Sequence, residues 1–376
     1  MTKDADTYIT SDVGQHQMWA VVLADMWLAA GHPSTARLLY ESALQVSEAH
    51  GEPVIRATPD LHVGLSELDY EVGDLEAAKG HLERAAALGE GAAMTESRYR
   101  WFVAMGRVAD AEGDPQEAIT LLDQAEQLYR PGFFPDLRPI AAVKARVWIT
   151  HGNLSQATDW ARERGVSTTD DAGYLSEFDH LTLVRLLITQ HRAHPDPGAI
   201  DQAVRLLGRL HEAAETSGRA GSLVEIRMMQ ALAQDAQGHR PQALQILGDA
   251  WAQAPEPAGY ARLFLDEGAP MVELLRDGEH QGVAGDHAGR LLILSTAGDG
   301  EAPDSGQPPA SLTDPLSERE LQVLRLLDSE LSGPQIARVL FVSHNTLRTH
   351  TKHIFSKLQV TTRRAAVARA RERGLM

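Results

Sequence analysis

Apolar and polar positions along this chain follow a helical rather than a strand period. Ala and Leu recur at three- and four-residue spacing, β-branched runs are short and aromatic residues make up only 5%, so helices are predicted almost throughout. A longer period lies over the short one. Six glycines, Gly31, Gly73, Gly113, Gly152, Gly198 and Gly238, are each followed five positions later by an alanine: Ala36, Ala78, Ala118, Ala157, Ala203 and Ala243. The glycines lie 42, 40, 39, 46 and 40 residues apart, and in four units a second alanine, Ala43, Ala85, Ala125 or Ala250, follows seven residues on. Each unit reads as a helix, a glycine at positive φ to end it, a polar or proline start such as Gly113-Asp114-Pro115, and a second helix. The alanines fall on one helical face and let the two helices approach closely. One hairpin cannot bury its apolar face alone, so the units should stack into a superhelix with a concave surface.

The same pattern divides the chain. Residues 1–12 are expected to be a disordered start, and helix pairs are expected within 13–296, with Leu291-Leu292-Ile293-Leu294 capping the last repeat. Residues 297–311 are rich in Gly, Pro and acids and lack apolar periodicity, which predicts a linker. A second domain, 312–376, opens with Ser317 and Glu320 as a capping box for a helix carrying Leu321, Leu324 and Leu327. A second helix starts at Ser332, with Pro334 in its first turn and Gln335 completing another box, and buries Ile336, Val339 and Leu340. After Phe341-Val342, Ser343 caps a third helix running to about Leu358, and Thr361 or Thr362 caps a fourth running to about Arg373. The fold class is therefore all-α: a repeat superhelix followed by a four-helix unit.

Composition narrows the classes. The 376 residues are 43% hydrophobic and 23% charged, too apolar for a disordered protein. There is no cysteine, so disulfides, thiolate metal sites and cysteine nucleophiles are excluded and a reducing compartment fits. The chain has no run of about 18 apolar residues and no signal-peptide pattern at its start, so a cytoplasmic protein with no membrane partner is expected. The net charge of −17 is unevenly spread: residues 312–376 hold eleven Lys and Arg against six acids, giving +5, and the remainder carries −22. A small basic unit at the end of an acidic body points toward a nucleic-acid partner.

Spacing assigns the two faces of the third helix. Leu347, Thr351, Ile354 and Leu358 would face the core. Asn345, Arg348, Thr349, Lys352 and Ser356 lie opposite, with Arg and Lys suited to guanine edges and the Thr methyl suited to thymine in a major groove. Ser343, Asn345 and Thr346 near the helix start, and Arg363 and Arg364 at the next one, are placed for phosphates.

The runs Leu316-Ser317-Glu318-Arg319-Glu320-Leu321-Gln322-Val323-Leu324, Ile336-Ala337, Ser343-His344-Asn345-Thr346-Leu347-Arg348-Thr349-His350 and Lys357-Leu358 closely resemble the LuxR-type helix-turn-helix of bacterial transcription regulators. That resemblance implies a four-helix domain binding double-stranded DNA as a homodimer, with Arg348, Thr349 and Lys352 on bases and the fourth helix for pairing. The long-period pattern resembles tetratricopeptide repeats, lengthened to about 40 residues. Gly259-Tyr260-Ala261-Arg262-Leu263-Phe264-Leu265-Asp266-Glu267-Gly268-Ala269-Pro270 is similar to the end of the sensor region in large ATP-binding LuxR-type regulators, the group that includes the maltose-regulon activator. In that group the repeats follow an NTPase and some bind an inducer or a partner protein. No Gly-x-x-x-x-Gly-Lys-Ser/Thr loop occurs in this sequence, which leaves the chain as a fragment or a shortened form of that plan.

Other motifs carry less. His344, His350 and His353 lack the carboxylates or thiolates of a metal site, so no metal and no cofactor is expected. The six tryptophans, Trp19, Trp27, Trp101, Trp148, Trp160 and Trp251, read as core rather than as a ligand-stacking surface. Asp266-Glu267-Gly268 fits either a functional loop or an acidic helix end closed by a glycine turn. There is no Gly-x-Ser-x-Gly elbow, and His211-Glu212-Ala213-Ala214-Glu215 lacks the second histidine of a zincin, so no catalytic residue is assigned. The expected function is a transcription regulator: the tail reads an operator and contacts RNA polymerase, the repeats sense an inducer or a partner, and opposite charge suggests that the body shields the tail. The alternative is a repeat scaffold with the tail as a docking or oligomerisation unit.

Overall fold

A computed structural model describes residues 12–50, 57–89, 98–131, 136–283, 285–297, 318–328, 336, 351, 354, 360 and 363–372. Among the described residues every regular element is helical. The chain divides into two compact units, 1–300 and 301–376.

In the first unit the helices pack in consecutive pairs. α1 (Asp12–Ala29) lies on α2 (Pro33–His50), α3 (Thr58–Glu71) on α4 (Leu75–Ala87), and α5 (Arg98–Ala111) on α6 (Pro115–Leu128). α7 (Ile140–Thr150) lies on α8 (Leu154–Arg164), α9 (Glu177–Ala193) on α10 (Pro197–Thr216), and α11 (Ala220–Ala236) on α12 (Arg240–Ala252). The short α13 (Ala261–Leu265) and the pair α14 (Ala269–His280) and α15 (Gly285–Ala297) follow. All six alanines that open the second helices, Ala36 through Ala243, are fully buried, as are Ala43, Ala125 and Ala250. Their small side chains bring the paired backbones close enough that a Cβ on Gly106 of α5 would sit 3.2 Å from the Ala118 carbonyl of α6.

Turn chemistry fits at five of the six units. Gly31, Gly73, Gly113, Gly152 and Gly238 have φ between +76° and +88°, the left-handed conformation that costs other residues most. Asp74 and Asp114 then cap the next helix, each accepting a backbone N–H at 3.0 Å. Gly198 departs from the expectation. It is the second residue of α10, where Asp196 is the cap, accepting from the N–H groups of Gly198 at 2.9 Å and Ala199 at 3.2 Å. Pro197 presets the first helical φ, and the chain turns before Asp196 without a left-handed residue.

The tryptophans also need correction. Trp160 and Trp251 are buried and Trp101 and Trp148 half-buried, but Trp19 and Trp27 are 57% and 40% exposed. They lie on α1, the first helix of the row, whose outer side no described element covers. At the other end α15 closes the row as expected: Leu291 is buried and Leu294 reaches Gly73, while Ile293 is exposed.

The row bends until distant members meet. α11 touches α1, and α13 touches α3. Polar contacts cross the same junction: Glu256 accepts from the Ser34 N–H at 2.9 Å, and Asp266 accepts from the Tyr70 hydroxyl at 2.7 Å while pairing with Arg262 at 2.5 Å. Beside it, Glu267 pairs with Arg185 of α9 at 2.6 Å, and Arg185 also reaches Glu225 of α11 at 2.9 Å. Glu225 in turn lies 3.0 Å from Arg146 of α7. Burial raises the carboxyl pKa of Asp266 and Glu267. Glu225 is buried as well, yet Arg146, Arg185 and Arg138 hold it down to about 2. Asp266-Glu267-Gly268 is thus a helix end closed by Gly268 at φ +69°, and its two carboxylates tie that end to α3 and α9.

Two outcomes are expected. Glu267→Ala leaves Arg185, whose side chain is only 7% exposed, without one of its carboxylates, and should cost about 3 kcal/mol in a denaturant titration, whereas Glu163→Ala on the exposed side of α8 should cost less than about 0.5 kcal/mol. The second concerns His62 and His81, whose Nδ1 atoms lie 2.9 Å apart, so the pair requires an unprotonated ring. Burial and then Arg84 lower His62 to about 4 and His81 to about 3. The unfolded chain therefore binds more protons below its histidine pKa of about 6.5, and stability should fall as pH drops from there toward 3. Thermal unfolding of a His62→Gln, His81→Gln double variant should show a flatter dependence over that window.

Candidate nucleic-acid interface

The second unit is built around a small apolar core. α16 (Glu318–Leu327) contributes Val323, Leu324 and Leu327, and α17 (Arg363–Glu372) contributes Ala366 and Ala370; between them sit Ile336 and Ile354, both fully buried. Leu324, Leu327, Ile336 and Ile354 occupy the core that their spacing predicts. Val323 joins them because the buried arc of α16 is wider than a single leucine stripe. Thr351 and Ile354 are both helical, with Thr351 half-buried. At Ile354 the predicted core side therefore packs with α16 and α17.

Two arginines latch α17 onto the end of α16. Arg363 donates from Nε to the Leu327 carbonyl at 2.8 Å and from an Nη to the Leu326 carbonyl at 3.4 Å. The last carbonyls of a helix lack intrahelical donors and carry the negative end of its dipole, so a guanidinium there satisfies both needs. Arg371 contacts both Asp328 carboxylate oxygens at 2.7 Å, but this pair is exposed and adds little. Sequence reasoning placed Arg363 on phosphate and missed the latch. The available signal was a helix ending at Leu327-Asp328 with no glycine after it and a basic residue at the start of the next predicted helix.

The other site residues lie outside what the structure describes. Ser343, Asn345, Thr346, Arg348, Thr349 and Lys352 are outside the described residues, as are the side chain of Arg364 and the histidines His344, His350 and His353. In the first unit, among the described residues, no three His, Asp or Glu side chains come together as metal ligands. No described helix is long and apolar enough to cross a membrane.

Comparison with known proteins assigns both units. Residues 7–281 match the family described as the MalT-like TPR region, and residues 314–370 match that of bacterial regulatory proteins, luxR family. The HTH-type transcriptional regulator MalT of Vibrio cholerae serotype O1 is 24% identical over 95% of this chain and 41% of the relative. MalT of Klebsiella pneumoniae is 23% identical over 96% of this chain and 41% of the relative, and MalT of Vibrio campbellii 22% over 71% and 31%. The chain spans about two fifths of the length of the curated relatives that it matches along most of its own length. With that family covering well over half of its residues and a luxR-family match following, the chain belongs to the family described as the MalT-like TPR region.

Proposed function

We propose that this protein regulates transcription by binding operator DNA through residues 312–376, as a dimer, while the repeats receive a small inducer or a partner protein. The observation that carries the reading is the burial of Ile354 in one core with α16 and α17. At 100° per residue, a helix that buries Ile354 directs Lys352 about 160° away and Arg348 and Thr349 more than about 100° away. Those three side chains would then enter the major groove, Arg348 and Lys352 on guanine edges and Thr349 on a thymine methyl. Ser343, Asn345, Thr346 and Arg364 would hold phosphates around them. Arg363 is better described as the residue that fixes the fourth helix, with phosphate contact secondary. The luxR-family match over 314–370 and the +5 charge of 312–376 support the same reading.

In this scheme the chain has no catalytic residue of its own and no cofactor. Two half-sites require two copies, and pairing through α17 would set their spacing at about one turn of DNA, near 10 base pairs. RNA polymerase is the natural further partner of a bound regulator. The relatives are named as HTH-type transcriptional regulators, in keeping with this assignment.

Selection from random DNA by the full chain tests it. Enrichment of a two-half-site motif is expected, and Arg348→Ala should weaken binding to that motif by about 1–3 kcal/mol and relax preference at one position. Absence of any enriched motif from both the full chain and residues 312–376 would reject DNA reading. Arg363 and Arg364 should separate by phenotype. Arg363→Ala should destabilise the second unit by about 1 kcal/mol, whereas Arg364→Ala should leave unfolding unchanged and lower the salt dependence of DNA affinity by about one charge.

A further inference from the structure

Helix α1 carries a second apolar face that no described residue of the first unit covers. Its inner side is spent on the fold: Gln17, Ala20, Val21 and Ala24 are buried, and the three apolar ones share a core with Tyr40 and Leu44 of α2 and Leu61 of α3. At 100° per residue, Trp19, Leu23, Met26 and Trp27 fall together in a separate stripe about 100° wide. These four are 57%, 39%, 64% and 40% exposed. α11 approaches only the end of the helix, where a Cβ on Gly221 would stand 2.8 and 2.9 Å from the Leu28 and Ala29 carbonyls, and it leaves the four side chains open.

Area and charge narrow what can cover them. Four half-exposed side chains of this size present roughly 450 Å² of apolar surface, in the range where the largest apolar patch of a monomer is commonly functional. From Gln17 to Ala29 the one charged residue is Asp25, which stands about 100° or more around the helix from each of the four. Each chain carries a net charge of −17, so two copies repel across most of their surface, and an uncharged face is where they approach at least cost.

Spacing points to the occupant. Trp19, Leu23 and Met26 follow the four-then-three spacing of a coiled-coil seam. A twofold axis at Leu23, with the two helices antiparallel, sets each Leu23 on its counterpart and Trp19 of one copy beside Met26 and Trp27 of the other, a favourable contact between indole and thioether. The stripe is thus complementary to itself, as a twofold interface requires. Two such stripes, with the half-buried Val22 and Ala30 beside them, remove about 1,200 Å² from water in total, the lower end of what a specific, stable pair buries.

We propose that α1 pairs with α1 of a second copy of this chain, antiparallel about an axis at Leu23, so that the protein associates through its first unit without DNA. This contact is separate from the pairing of α17 on an operator and does not rest on it.

Sedimentation velocity of the full chain without DNA, from about 1 to about 100 μM, tests the proposal. The mass should rise with concentration toward twice the 41.0 kDa of one chain. A Trp19→Glu, Met26→Glu double variant should weaken association by more than about 100-fold. Both side chains are exposed, so its circular dichroism at low concentration should match that of the wild type. The chain has no cysteine, which lets single thiols report the register. Helices packed about 9 Å apart place facing Cα atoms about 5 Å apart, within reach of a disulfide, so Leu23→Cys should give a covalent pair on oxidation and Ser155→Cys, exposed on α8, should not. A monomer throughout the range overturns the proposal and leaves the face to a chain of different sequence. A dimer that the double variant does not weaken also overturns it, because association then lies elsewhere, as does equal cross-linking of the two cysteine variants.

Discussion

The first unit depends on a cluster of ion pairs that ties its middle to its end. Arg185 of α9 holds Glu225 of α11 on one side and Glu267, after α13, on the other, and next to it Asp266 reaches back to Tyr70 of α3. Bringing charges into such a wall is costly, because each gives up hydration. The arrangement persists because each charge finds more than one partner. Arg185 has two carboxylates and a backbone carbonyl, Glu225 has two arginines within 3.0 Å, and Asp266 has Tyr70 and Arg262. Breaking any one contact leaves a charge that water reaches poorly, so the cluster holds as a set. The alanine contacts between paired helices set the distance within each pair, and the charges decide where the row ends.

The second unit solves a different problem. Its described apolar core has seven buried residues, too few to fix the angle of a helix by packing alone. Arg363 on the carbonyl end of α16 adds a directional contact where packing is thin. Arg363 and Arg371 thereby hold elements of the fold together, although a charge count treats them like every other basic residue of the unit.

Much of this was legible in the residues. A period near 40, with glycine and alanine at fixed offset, is a local signal, since the turn needs a left-handed residue and the paired helices need a small one five positions on. Gly198 shows the limit of the pattern: Asp196-Pro197 supplies cap and φ, so the same offset arises from a different turn. Trp19 and Trp27 were read as core because composition reports how apolar a helix is and not whether anything covers its second side. The Arg185 cluster was not legible at all. Arg185 and Glu267 are 82 residues apart, and the periodicity of a repeat says nothing about which members meet when the row bends. For the same reason Asp266-Glu267-Gly268 fitted a functional loop and a helix end equally well, with neither Tyr70 nor Arg185 in view. In the second unit the helical faces of Leu324, Leu327, Ile336 and Ile354 followed from spacing, whereas the role of Arg363 depended on where another helix stops.

Closure of the row changes how the first unit can come apart. An open array of repeats touches only nearest neighbours, so its ends fray and its middle outlasts them. Here α1 is bound by α11 as well as by α2 and α3, and the segment after α12 is anchored on α3. Neither end can peel away without breaking contacts made by a distant part of the chain, and the last of these contacts cannot form until nearly all the pairs exist. Assembly is therefore slowed by the large loops that must close, and loss of structure becomes a concerted event in which the helix pairs behave as one.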